Sequence, residues 1–198
     1  MEFRSEHARQ VAQLHISGIA TGFISSLGTD FVRALYETIA ESRFGFGLVA
    51  EIKGQVVGFV VFTPNINKLY KSVIFKRGLY FAFLLAGKMF SISRIKKIFE
   101  TLFYPSRVNN LDVPGAELLS IVVAPEERGK GISGMLTREG FEQCRQRGIE
   151  KVKVLVGSDN RPANALYLKC GFQLAGQMEN HGVVSNVYVA RMDHFEHH

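Results

Sequence analysis

The sequence predicts an α/β fold in one domain, with helices flanking a single sheet. Three observations carry that prediction. Two runs rich in β-branched and aromatic residues, GLVAEI and VVGFVVF, flank KGQ and read as a hairpin. A strand-like run, ELLSIVVAP (Glu117 to Pro125), passes through the glycine loop GKGISG at 129–134 into a helix-like run. Two further runs, FQLAGQMEN and VSNVYVARM, close the chain as strands. With 198 residues the chain is long enough to bury a real core, and 46% hydrophobic with 21% charged residues is ordinary for a globular fold.

In chain order, a short extended start (Glu2 to Arg4) leads into a helix over SEHARQVAQLHISG, with Ser5 as the expected N-cap. A loop, IATGFISSLG, separates it from a second amphipathic helix, TDFVRALYETIAES. There Phe31, Leu35 and Ile39 fall at helical spacing, and Thr29 or Asp30 is the expected cap. After the hairpin, which ends at Pro64, residues 65–110 read as a helical insertion between the third and fourth strands, counting the extended start as the first. Its second half, SISRIKKIFETLF, places Ile92, Ile95, Ile98, Phe99, Leu102 and Phe103 on one face and Arg94, Lys96 and Lys97 on the other. The helix after the glycine loop runs to about Arg147 and closes at Gly148. KVKVLV is a strand of strict alternation, and PANALYLK is a short helix with Pro162 in its first turn, ended by Gly171.

Composition narrows the function classes. The longest apolar run, Gly78 to Gly87, is about half of a membrane span. Met1 is followed by charged residues, unlike a signal peptide, and Cys144 and Cys170 lack a C-x-x-C spacing. Reduced thiols and a cytoplasmic location are therefore expected. His7, His15 and His181 have no metal-ligand spacing, so no metal is expected, and the tail 193–198 reads as tag-like and outside the domain. The formal charge of +6 is concentrated: Lys68 to Arg107 holds nine basic residues against Glu100 alone, a net +8, which leaves about −2 for the remainder.

GKGISG is letter for letter G-x-G-x-x-G. Glycines at 129, 131 and 134 allow backbone amides to approach an anion, and the next helix adds its dipole, so any diphosphate suits the loop. A dinucleotide fails on context. Glu150 lies at the wrong end of the next strand for the ribose, Asp159 comes too late, and only about 40 residues remain for further βα units.

A second pattern covers the same residues better. Arg128, Gly131 and Ser133 match [Q/R]-x-x-G-x-[G/A], with Ser133 departing mildly from the small residue, and downstream come Asn160, Asn164, Tyr167, Gly171 and Phe172. This run resembles the GCN5-related N-acetyltransferases (the GNAT superfamily), specifically from Glu117 to Phe172 and in element order from Glu2 to Met192. The insertion is outside the resemblance.

The resemblance implies a mixed, mostly antiparallel sheet whose two parallel central strands splay apart, with acetyl-CoA as acyl donor. Main-chain groups of Ile121, Val122 and Val123 would pair with the pantetheine arm. Amides from Arg128 through Gly129, Lys130, Gly131, Ser133 and Gly134 would hold the diphosphate, with Arg128 and Lys130 either adding charge or standing solvated. Asn160 and Asn164 would bond pantetheine amides or cap the short helix. Tyr167 matches the general acid toward the CoA thiolate, against a reading as a core aromatic. Glu117 matches a water-mediated base, against an ordinary strand-edge charge, and His15 and His181 are weaker candidates.

The acceptor implied is a primary amine of a small molecule, an amino sugar or amino acid derivative, reached from Ile19 to Gly28 and the region of His181. Peptide N-termini are the alternative, and a non-catalytic acyl-CoA-binding module is a third reading. The insertion reads as a lid over the acceptor, as a basic surface touching anionic lipid, nucleic acid or an acidic carrier, or as a dimer interface. Nucleic acid as the main partner is disfavoured, because no recognised binding motif is present.

Overall fold

The computed structural model describes residues 1–20, 22–86, 113–180 and 183–192. The stretch 91–103, His181 and the tail 193–198 lie outside the described residues. A six-stranded mixed sheet has the order β1-β2-β3-β4-β6-β5: β1 Phe46–Ile52, β2 Gln55–Thr63, β3 Glu117–Val123, β4 Lys151–Gly157, β5 Gln173–Asn180 and β6 Val183–Arg191. Its pairs are antiparallel except β3 with β4.

Helices α1 (Ala8–Gly18) and α3 (Thr29–Ala40) cover one face, with a short α2 (Phe23–Ser26) in the segment predicted as a loop. Helices α5 (Ile132–Gln146) and α6 (Arg161–Lys169) cover the other, and α4 (Ile66–Ala86) opens the predicted insertion. Because both faces are covered, β2 reads VVGFVVF without polar relief. Phe59 and Val61 join the α1/α3 core, while Val60 and Phe62 join the α5/α6 core. Gly140 brings α5 close to the sheet, since a Cβ there would collide with the Phe62 ring.

The extended start adds to the β1 edge, with Glu2 bridging Leu48 and Phe3 N–H donating to Gly47 O at 2.8 Å. Both predicted N-caps differ. A 3-10 turn, Ser5–His7, precedes α1, and His7 Nδ1 rather than Ser5 accepts from the chain, taking Arg4 N–H at 3.0 Å. Thr29 and Asp30 lie inside α3, whose cap is Gly28 at φ 91°. The hairpin turn narrows from KGQ to Lys53-Gly54, both at positive φ, and Gln55 already pairs with Ile52. Helix α4 kinks at Arg77 and packs along α3 through a Phe31–Phe81 ring contact of 4.9 Å and an Arg77–Glu37 bridge of 2.7 Å.

Candidate acyl-carrier cleft

The parallel pairing of β3 with β4 covers only Glu117↔Lys153 and Leu118↔Val154. Immediately beyond, the register of β3 on β2 jumps from Phe62↔Leu118 to Val61↔Ser120, so Leu119 is a bulged residue. A bulge bends its strand and adds twist. Here it turns β3 away from β4 while β2 still holds Ser120 to Val123 and β6 still holds β4 to Gly157. The edges that Leu119–Val123 and Leu155–Gly157 turn toward each other carry no strand pairing. Ile121 is half-buried, and Val122 and Val123 are buried, along this gap.

The gap opens toward the glycine loop. Gly129 and Gly131 take φ of 78° and 82°, a left-handed backbone that side chains rarely adopt, and nothing stands within 4 Å of a Cβ built on either. Gly131 caps α5, whose first-turn amides, at Ile132, Ser133 and Gly134, have no acceptor within the helix. Amide donors and a positive helix end therefore face open space, the cradle a diphosphate fits. The two loop cations are engaged elsewhere: Arg128 Nε donates to Val123 O at 3.1 Å, and Lys130 Nζ lies 2.8 Å from Glu127.

The asparagines divide. Asn160 Oδ1 accepts from Ala163 N–H at 3.2 Å and caps α6. Asn164 is used on every side, donating to Gly157 O and Asn160 O and accepting from Asn186 Nδ2 and Tyr188 Oη. That network ties the end of β4 to α6 and β6.

Tyr167 is buried between Phe172, at a ring distance of 5.4 Å, and Tyr188, at 6.4 Å. Tyr188 pairs with Val154, the residue at which parallel pairing stops, so Tyr167 stands beside the start of the gap. No group among the described residues hydrogen-bonds its hydroxyl. Burial pushes its phenol above the usual range, so it carries a proton throughout the physiological range.

Glu117 lies at the closed end and is not an exposed edge charge. Its carboxylate is 3.3 Å from Lys153 Nζ, which also donates to Pro114 O at 2.7 Å. Strict alternation in KVKVLV suggests that Lys153 faces solvent, yet its side chain is 1% exposed. The buried pair was missed because period-two reasoning presumes one open face.

A second polar group was also missed. Tyr36 Oη is 2.7 Å from His15 Nδ1 and also bonds Ser120, beside the bulge. Burial pushes the Tyr36 phenol up, with the Ser120 bond drawing it back, and burial lowers His15 to about 4. His15 Nε2 is buried with no partner among the described residues. Ser120, the one hydroxyl in ELLSIVV, was the available signal. Among the described residues no cluster suits a metal, and no helix is long and apolar enough to cross a membrane.

Comparison with known proteins agrees with this geometry. A mycothiol acetyltransferase of Saccharomonospora viridis is 42% identical over 60 residues, which are 30% of this chain and 20% of that one. A Bacillus subtilis protein named for alanine N-acetylation of ribosomal protein bS18 is 32% identical over 66 residues, 33% of this chain and 44% of its own length. The chain thus matches about a fifth to under half of these curated relatives. An N-acetyltransferase structure from Staphylococcus aureus Mu50 superposes with a TM-score of 0.61 at 17% identity, over 97% of this chain and 98% of that one. The model of the Acetyltransferase (GNAT) family matches residues 20–172, and the chain belongs to that family.

Proposed function

We propose that this protein is an N-acetyltransferase that moves the acetyl group of acetyl-CoA directly to a primary amine of a small molecule, an amino sugar or amino acid derivative. The observation that carries the reading is the gap between β3 and β4, which opens at a bulge and ends on a loop of outward-facing amides. The pantetheine arm would lie along Ile121 to Val123, and the diphosphate would rest on amides from Arg128 to Gly134. Arg128 and Lys130 would release their internal partners to meet it. Ser133, in the first turn of α5, can add a hydroxyl bond.

In the reaction the amine nitrogen bonds the thioester carbonyl carbon and the carbon–sulfur bond breaks. Sulfur leaves with the electron pair and takes the Tyr167 phenolic proton, giving free CoA. The proton lost by the amine reaches solvent or Glu117 through water, and Tyr167 is reprotonated. Glu117 stands 3.3 Å from Lys153 Nζ in this arrangement. Asn160 and Asn164 hold α6, and with it Tyr167. The two buried free cysteines suit a reducing compartment such as the cytoplasm.

The test is release of free CoA, read with a thiol reagent, across a panel of amino sugars, amino acids and short peptides. Turnover with the small amines supports the proposal, and failure to bind acetyl-CoA ends it. Peptide N-termini are the second reading, favoured by the name of the B. subtilis relative, and turnover confined to alanine-leading peptides would establish them instead.

A further inference from the structure

We infer that the outward face of α4 docks on an anionic lipid bilayer. This rests on a surface separate from the acyl-carrier cleft. Helix α4 carries both buried and exposed apolar side chains. Ile66, Leu69, Phe81 and Leu85 are buried against the body of the protein. Phe75 before the Arg77 kink, and Leu79 and Phe83 after it, are 91%, 92% and 76% exposed. Leaving three such side chains in water forgoes the gain of burying them, so this surface suits an apolar partner.

The same surface is basic. Lys68, Lys71 and Lys76 of α4 and Arg43, just after α3, border a shallow depression that contains Phe75. Glu41 also lines it, but its carboxylate is held by Arg77 at 3.2 Å.

Charge selects the occupant. Helix α4 carries Lys68, Lys71, Lys76 and Arg77 and no acid, so a second copy of this face would bring like charge to it. A nucleic acid would satisfy the lysines but leave Phe75, Leu79 and Phe83 without an apolar partner. A bilayer interface satisfies both, with headgroups on the cations and the acyl boundary on the rings. The helix would lie in that interface, since it is not long and apolar enough to cross it.

The full chain is sedimented with phosphatidylcholine vesicles and with vesicles in which about a third of the lipid is phosphatidylserine. The expected result is co-sedimentation with the anionic vesicles alone, weakened by salt. Phe75→Ser with Leu79→Ser abolishes it at unchanged melting temperature and unchanged acetyl transfer. Lys68→Gln with Lys71→Gln lowers partitioning roughly 25-fold, at about fivefold per charge. No co-sedimentation, or equal binding to both vesicle types, overturns the inference. So does a dimer that Phe75→Ser with Leu79→Ser dissolves, or RNA binding that survives those changes and is lost with the lysines.

Discussion

The two ends of the β3–β4 pair satisfy their polar groups in opposite ways. At the closed end, Glu117 and Lys153 bury opposite charges against each other and the strands pair. At the open end, Leu119 to Val123 show an edge unpaired with β4, and the loop beyond it shows amides without helix acceptors. The closed end holds its polar groups in internal bonds and serves stability. The open end leaves them unpaired within the sheet and the helix, where the proposed acyl carrier would lie. One bulge at Leu119 divides the two, so a single pair of strands acts as both clamp and cleft.

The comparison breaks most severely at the clamp. Lys153→Ala removes the buried cation that stands 3.3 Å from Glu117, and urea denaturation is expected to show a loss of about 3–5 kcal/mol. Lys153→Met combined with Glu117→Leu restores most of it. A loss under about 1 kcal/mol for Lys153→Ala would deny the closed end its structural role.

At the start of the gap the expected effect falls on rate instead. Tyr167→Phe lowers kcat roughly 10²- to 10³-fold with little change in KM for acetyl-CoA, the range of a lost general acid. Stability stays within about 0.5 kcal/mol, because no described group bonds the hydroxyl. Wild-type turnover by this variant removes the acid assignment.

The third contrast is with pH. Unfolded, His15 titrates near 6.5, and burial lowers it to about 4 in the folded protein. Between those values the unfolded chain binds the extra proton. Stability is therefore full above pH 6.5 and falls by roughly 3 kcal/mol as pH drops to 4. His15→Gln flattens that limb in denaturation curves taken at several pH values. If the limb persists unchanged, another group sets it.

The smallest effect is expected at the loop. Gly131→Ala meets no clash but must hold a left-handed backbone at φ 82°, at about 1–2 kcal/mol. Acetyl-CoA then binds about tenfold more weakly by calorimetry, the equivalent of one misplaced amide bond. Unchanged affinity would place the diphosphate elsewhere.

Much of this molecule is legible along the chain. The hairpin, the glycine loop and the short helix with Asn160 and Pro162 at its start stand in the structure where their residues suggest. Each depends on neighbours a few positions apart. The N-caps were misread because a His7 ring nitrogen and a Gly28 backbone took roles usually filled by hydroxyls and carboxylates. Asn160 and Asn164 have two open uses by sequence, pantetheine contacts or helix capping, and in the structure Asn160 caps α6 while Asn164 bonds Asn186 and Tyr188. Arg128 and Lys130 read in the sequence as either phosphate cations or solvated charges, and in the structure they contact Val123 O and Glu127.

By itself the sequence determined the alternation of helices and strands, the loop without side chains and the placing of Tyr167 on a short helix. Local spacing and backbone freedom are properties of adjacent residues. Only the tertiary structure decided that Leu119 bulges, that Lys153 turns inward to Glu117, and that His15, Tyr36 and Ser120 meet. Strand register and burial depend on partners far apart in the chain, and no short window of residues contains them.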